Sequence, residues 1–414
     1  MKLIIDIALA HIRSRRRQTI ISLLGVATGV GFSIAMAALM QGSQEDFVRQ
    51  MIDAMPHVTI SDEFRHPPLQ PVDRLHPSGA VALRGVKPKE ELRGIRNVNA
   101  RIARLRELPG IAIGPTLRGQ AVMRYGGKDV SVTLVGTTPE TERRVSNLED
   151  DLRAGKLDGL RTTANALIIG SGVARKLGAQ MNSSLTVSSP VGSSRRMKVV
   201  GIFNTGVTAF DNGQAYSLLK TAQVLQDRPN VINEIRLRLD DVTQARHIAH
   251  RIEALVGYRS ESWEEANESI LEVFFIRNII MFTVVGAILI VAGFGIFNII
   301  STITYEKARD IAILKSLGFR QLDIRAIFLF EGVLMGLGGS VLGCVLGYGL
   351  TTALASIPFE VEALTELTRL PILYSATHYV VAGAAAVIAA GIAGYMPARR
   401  AARLNPVDII RGAA

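Results

Sequence analysis

Cysteine is almost missing from this chain: Cys344 is the only one in 414 residues, so no intrachain disulfide can form. Aromatics are also scarce, at 6%, although hydrophobic residues reach 48% and the mean hydropathy is positive. That balance is high for a soluble protein and directs the reading to membrane spans. Nucleotide and metal signatures are lacking too. The pairs Gly127-Lys128 and Gly155-Lys156 are followed by Asp129 and Leu157, so no phosphate-cradling loop with a magnesium-binding hydroxyl is present. There is no H-E-x-x-H and no cysteine cluster, hence no metal site by spacing. His247 and His250 share a helix face without a completing carboxylate and read as a solvated pair. Gly170-x-Gly172 lacks the third glycine of a dinucleotide loop and reads as a turn. A catalytic triad is spatial and is not legible from sequence. No catalytic residue and no metal ligand is assigned.

What is present is four long runs poor in charge: 19–40, 278–304, 326–355 and 377–396. Each is long enough to cross a hydrocarbon core as a helix. The first has a rival as a signal peptide, with Arg13, Arg15, Arg16 and Arg17 as its basic region and Ala35-Met36-Ala37 as a cleavage site. Its length favours a retained anchor.

Lysine and arginine near the span ends set the orientation. The segments 1–18, 305–325 and 397–414 together hold fourteen basic and five acidic residues, a net of +9 of the chain's +11. The short loop 356–376 carries Arg369 against Glu360, Glu362 and Glu366. Both termini and 305–325 are therefore expected in the cytoplasm, and 41–277 and 356–376 outside. Membrane topology accounts for the basic excess, so nucleic acid is not called for as a partner.

The 41–277 segment reads as a folded α+β domain inserted between the first and second spans, with a polar, Pro-rich stretch at His66–Pro88. Gln120–Arg124 and Val130–Val135 are strand-like and joined through Gly126-Gly127, a hairpin signal. Further strands are expected at Ala166–Ile169, Ser184–Val187, Arg196–Phe203 and Asn233–Leu239. Ser262–Phe275 reads as a helix feeding into the second span.

Three features of the membrane part stand out. Gly332, Gly336, Gly339, Gly343 and Gly347 put small residues on one face of the third span, which allows close helix packing inside the bundle or between subunits. Glu331, the one ionisable group well inside a span, is expected to snorkel or pair near Arg320 and Arg325 rather than to relay protons. Between the second and third spans, Glu306–Leu317 reads as a short helix ending at Gly318. Its apolar residues form no single stripe. Ala308, Ile311 and Ala312 lie on one side, with Ile313 and Leu317 nearly opposite, so the helix needs two covers. One is the ends of its own spans. The other is something the chain does not supply; an interfacial helix with one face in lipid is the alternative. In the tail, Asn405-Pro406-Val407-Asp408 reads as the start of a short helix.

The runs YEKARDIAILKSLGF (305–319), FEGVLMGLGGSVLGCVLGYGL (330–350) and PARRAARLNPVDIIRG (397–412) resemble the permeases of MacB/FtsX-type ABC transporters. QEDFVRQMIDAMPHVTI (44–60), LVGTTPETERRVSNLEDDLRAG (134–155), IIGSGVARKLG (168–178) and VVGIFNTGVTAFDNGQAYSLL (199–219) are similar to the lipoprotein-releasing LolC/LolE permeases. That resemblance implies a multi-pass subunit of the bacterial inner membrane with four transmembrane helices. It implies a dimeric cytoplasmic ABC ATPase as partner, which binds the ATP and magnesium, leaving no cofactor on this chain. It also implies a second permease subunit, like or unlike this one, and release of lipoproteins or other lipidated cargo to a periplasmic carrier. A MacB- or DevC-like efflux permease working with a periplasmic adaptor, and an FtsX-like relay to an outer enzyme, are the alternatives. No ATPase segment is recognised, which departs from fused MacB. On this reading Glu306, Lys307, Arg309, Asp310, Ile313, Lys315, Leu317 and Gly318 meet the ATPase, and Met36, Leu39, Met40, Val273, Phe274 and Phe275 are candidates for the place where cargo enters.

Overall fold

The computed structural model describes residues 2–65, 75, 94–357 and 370–403. The charged positions 360–369, the tail motif at Asn405–Asp408 and nearly all of His66–Pro88 lie outside them. The described chain forms two compact units. One holds residues 2–46, 272–357 and 370–403; the other holds 47–65 and 94–271.

The first unit is helical. Four helices are long and apolar enough to cross a membrane: Arg16–Ala54, Glu268–Glu306, Gln321–Ala355 and Ala376–Arg403, the last apolar through Arg400. They are called the first to fourth spans below. Apolar side chains from all four meet in one core, among them Val30, Ile34, Ile296, Ile300, Met335, Ala386 and Ala390. Contacts fix the directions. Arg15 pairs with Glu306, Gly29 faces Ile288 and Ala292, and Gln44 meets Arg277, so the first and second spans run antiparallel. Gly339, Gly343 and Gly347 lie against Val26, Val30 and Ile34 in rising order, so the first and third run parallel. Gly332 and Gly336 lie against the fourth span at Ala390 and Gly394, then Val387, so the third and fourth run antiparallel. Below, the near end is the one with Arg15 and Glu306, and the far end the one with Gln44 and Arg277.

Two short helices sit at the near end. Lys2–Ser14 packs Ala8, Ile7 and Ile12 into the span core. Ala308–Ser316 follows the second span after a break at Lys307 and ends before Gly318. There φ of +99° requires a residue without Cβ. Pro397 sits inside the fourth span, where it removes one backbone donor without ending the helix.

The second unit is a mixed α+β domain. Its strands are β1 (Val58–Ser61), β2 (Ile111–Tyr125), β3 (Lys128–Thr137), β4 (Leu152–Gly155), β5 (Ala166–Gly170), β6 (Ser184–Ser188), β7 (Ser194–Phe203), β8 (Gln214–Leu218), β9 (Glu234–Leu239) and β10 (Ser260–Ser262). Their order is β10-β1-β9-β2-β3-β8-β5-β7-β4, with β6 pairing to β2 and β7. The β2–β3 hairpin turns at Gly126-Gly127, both with positive φ, as a tight two-residue hairpin requires. β2 is shared by two halves: Ile111–Thr116 pairs with β9, and Leu117–Tyr125 with β3. Separate cores fill the halves, one around Leu117, Met123, Leu167 and Val199, the other around Ile60, Leu237, Ile252 and Trp263.

Candidate functional site

The near end of the helical unit gathers the residues expected to meet a partner. On the helix Ala308–Ser316, Ile311 and Ala312 are buried in the unit's own core, whereas Ile313 is 47% exposed and Leu317, just past its end, 73%. The sequence puts these pairs on opposite sides, and the structure covers one side. Polar neighbours divide in the same way. Arg309, Asp310 and Gly318 are exposed. Glu306 pairs with Arg15 at the head of the first span, and Lys307 bonds Asp310 at 2.7 Å. Lys315 points inward instead and donates to the carbonyl of Ala402 at 3.1 Å, so it ties this helix to the end of the fourth span. A lysine on the closing carbonyls of a helix also satisfies that helix's dipole.

Glu331 corrects the sequence expectation. It does not snorkel: it is 0% exposed. The N-terminal helix closes over it, with the His11 ring 6.1 Å from that of Phe328 and His11 Nδ1 3.8 Å from Glu331 Oε2. Neither carboxylate oxygen has a hydrogen-bond partner among the described residues. Snorkelling needs a clear path to water along the helix, and the packed N-terminal helix removes that path.

The glycine stripe of the third span serves two neighbours. At its near half a Cβ on Gly336 would come within 2.7 Å of Ala390 Cβ, and on Gly332 within 2.9 Å of the Ala390 carbonyl. At its far half, a Cβ on Gly343 would come within 2.6 Å of Val30 Cβ. All five named glycines are buried within this unit, so the stripe packs inside one subunit.

At the far end, the candidate cargo residues separate into two groups. Met36, Leu39 and Met40 are half-buried on the first span; Val273 and Phe275 are exposed on the second, with Phe274 half-buried between them. Among them lies a polar contact that sequence reasoning missed. Arg277 Nη2 donates to the Met40 carbonyl and to Gln44 Oε1, both at 3.0 Å, and Asn278 Nδ2 donates to the same Gln44 oxygen at 3.4 Å. The guanidinium also lies 4.8 Å from the Phe274 ring centroid. These partners are more than 230 positions apart in the chain, and the only sequence signal was two polar residues at the lip of an apolar run.

The α+β unit holds a buried charge network where β2 passes from one half to the other. Arg236 Nε is 2.7 Å from Glu234 Oε1, and its Nη1 is 3.5 Å from Glu142 Oε1. Glu142 also accepts from Thr137 at 2.7 Å and from Ser146 at 2.8 Å. Burial opposes charge on Glu234, but Arg236 outweighs it and holds the carboxyl below its usual range. The Tyr216 hydroxyl is pushed up to about 12 by burial. Asp151 is pushed up to about 6, first by burial and then by Asp211, Asp150 and Asp53. Among the described residues no group of three or more His, Cys, Asp or Glu could hold a metal ion. His250 lies 3.6 Å from Glu265 and does not form part of a ligand set.

Family models decide the identity. Residues 19–255 match the MacB-like periplasmic core domain, and residues 282–406 the FtsX-like permease C-terminal region. The chain belongs to this family of MacB/FtsX-type permeases. The permease is 27% identical to the lipoprotein-releasing system transmembrane protein LolC of Xylella fastidiosa, over 98% of both chains. It is 26% identical to the macrolide export ATP-binding/permease protein MacB of a Shewanella species, over 98% of this chain and 60% of that one. It is 24% identical to the ABC transporter permease YknZ of Bacillus subtilis, over 98% of both. It is thus an ABC-transporter permease of the LolC/MacB type, with a β-rich MacB-like domain and four helices long and apolar enough to cross a membrane.

Proposed function

We propose that this permease sits in the bacterial inner membrane and couples ATP hydrolysis by a separate cytoplasmic ATPase to the extraction of lipoproteins or similarly lipidated cargo. The observation that carries the coupling is the outward apolar pair of Ile313, on a short helix whose other face is locked into the span core, and Leu317 just past its end. An apolar pair left in water loses the free energy of burial, roughly 1.5–3 kcal/mol per side chain. A groove on the ATPase recovers it. On this reading the near end is cytoplasmic, with both termini, and the α+β domain between the first and second spans is periplasmic. A second permease subunit completes the membrane part, and a periplasmic carrier receives the cargo. Similarity to LolC along the whole chain supports the choice of cargo. The MacB-like core domain supports a second reading, efflux through a periplasmic adaptor.

Reconstitution with the cognate ATPase tests both parts. A diacylated lipoprotein is expected to stimulate ATP hydrolysis and to leave the membrane. Ile313→Asp and Leu317→Asp are expected to abolish that stimulation while the protein still inserts. Wild-type coupling in both variants would remove the coupling assignment. Stimulation by a soluble efflux substrate and not by lipoprotein would favour the second reading.

A further inference from the structure

The far end of the first span is held on two sides by different kinds of contact. Toward the fourth span the hold involves the backbone. Leu373 N–H donates to the Ala38 carbonyl at 3.0 Å, and His378 Nε2 lies 2.6 Å from Gln41 Oε1. Gly42 lets residues 371–373 come so close that a Cβ there would meet the Pro371 carbonyl at 2.4 Å. Toward the second span, the polar hold at this end is donated, among the described residues, by the side chains of Arg277 and Asn278, with the Met40 carbonyl and Gln44 as acceptors. Both acceptors of Arg277 are neutral, a backbone carbonyl and a side-chain amide. The Met40 carbonyl is also the acceptor expected of the helix's own ladder, so the arginine takes its second lone pair. Among the described residues, no ion pair has to be broken to release this contact. Above and below it lie the apolar residues Met36, Leu39, Val273 and Phe275. Among the described residues, the polar closure between the first and second spans at this end is thus made by side-chain donors.

We infer that Arg277, with Asn278 and Gln44, is a latch that closes the crevice between the first and second spans at the far end, and that it opens and closes during the ATPase cycle. This rests on the proposed function for what passes the crevice, but not for the motion itself. Arg277 is a positioning residue: released, the second span is free to swing from its near-end pairing between Glu306 and Arg15.

The test uses the full complex with its ATPase in lipid nanodiscs, in a Cys344→Ala background. Spin labels go on Glu45→Cys and Ile280→Cys, both exposed and both outside the latch. The label-to-label distance distribution is expected to differ between the nucleotide-free and vanadate-trapped states. Adding Arg277→Ala is expected to broaden the nucleotide-free distribution toward the trapped one, with Arg277→Lys in between. A distribution that ignores nucleotide, or one that ignores Arg277→Ala, overturns the latch. Separately, Gln44→Cys with Asn278→Cys, oxidised to a disulfide, is expected to cut lipoprotein release at least tenfold and to recover on reduction. Release at the unlocked rate in the oxidised complex also overturns it. Nucleotide-dependent distances in a complex that releases no lipoprotein would leave the latch standing and remove the cargo reading.

Discussion

Among single residues, the buried charges of the α+β domain carry the sharpest consequences. Arg236 is shared between Glu142 and Glu234, and all three are nearly or fully buried. Replacing it with methionine leaves the two carboxylates without the cation they share, with only the half-exposed Arg118 still 3.5 Å from Glu234. Breaking a buried pair in this way costs about 3–5 kcal/mol. Arg236→Met is therefore expected to lower the thermal midpoint of the domain strongly, read by scanning calorimetry, whereas the double change Glu234→Gln with Arg236→Met recovers part of the loss. Asp151 acts in the opposite sense. Its folded carboxyl titrates near 6, above the ordinary value of 3.8, so the folded state holds a proton that the unfolded state gives up. That preference is fully present at low pH, and stability falls as pH rises from about 4 through 6. Asp151→Asn should then raise the melting temperature at pH 7.5 and leave it unchanged at pH 3.5. A gain of equal size at both would show that charge is not the cause. The network itself was hidden in the sequence for a simple reason. In EIRLRL (234–239) alternation puts Glu234, Arg236 and Arg238 on one face. A charged face reads as solvent-exposed, and nothing local says that the other half of the domain will cover it.

For whole elements, the third span is defined by what it omits. Its glycines let valines and an isoleucine of the first span seat directly on its backbone. Gly343→Leu has to displace Val30 and should cost the protein its assembled, monodisperse form in detergent. Gly349→Leu, with open space around it, should not. Size-exclusion profiles and melting curves of the two variants check this contrast. Spacing made the stripe visible beforehand; which neighbour each glycine serves was not, because two helices share one face. The N-terminal helix was not anticipated at all. Its flanking arginines drew it into the reading of the first span as a basic flank, and its packing on Phe328 and Glu331 links positions over 300 apart. The β2–β3 hairpin and the stop at Gly318 were legible because a positive φ leaves a local signature in glycine.

For the molecule as a whole, alternating helix directions agree with four consecutive crossings, and the proposed topology makes a labelling prediction. Val191→Cys on the α+β domain and Gln321→Cys at the near end are both exposed sites. In intact spheroplasts carrying the Cys344→Ala form, a membrane-impermeant maleimide is expected to label Val191→Cys at once and Gln321→Cys only after lysis. Labelling of both in intact cells would invert or break the topology. The number of long apolar helices was readable from apolar length, since it acts additively along the chain. Contacts at the far end were not, because they depend on where two helices happen to cross.

The seating of the first span on the third has one more implication. Val26, Val30 and Ile34 occupy notches at Gly339, Gly343 and Gly347, and on both helices the step is four residues. The two parallel surfaces form a rack whose teeth are four residues, about 6 Å, apart. A slide by one tooth would bring Val26 onto Gly343 and Val30 onto Gly347 but Ile34 onto the buried Thr351, and a slide the other way would bring Val26 onto the buried Met335. The first span thus has one register against the third, and it can shift along that helix only by lifting out of the notches.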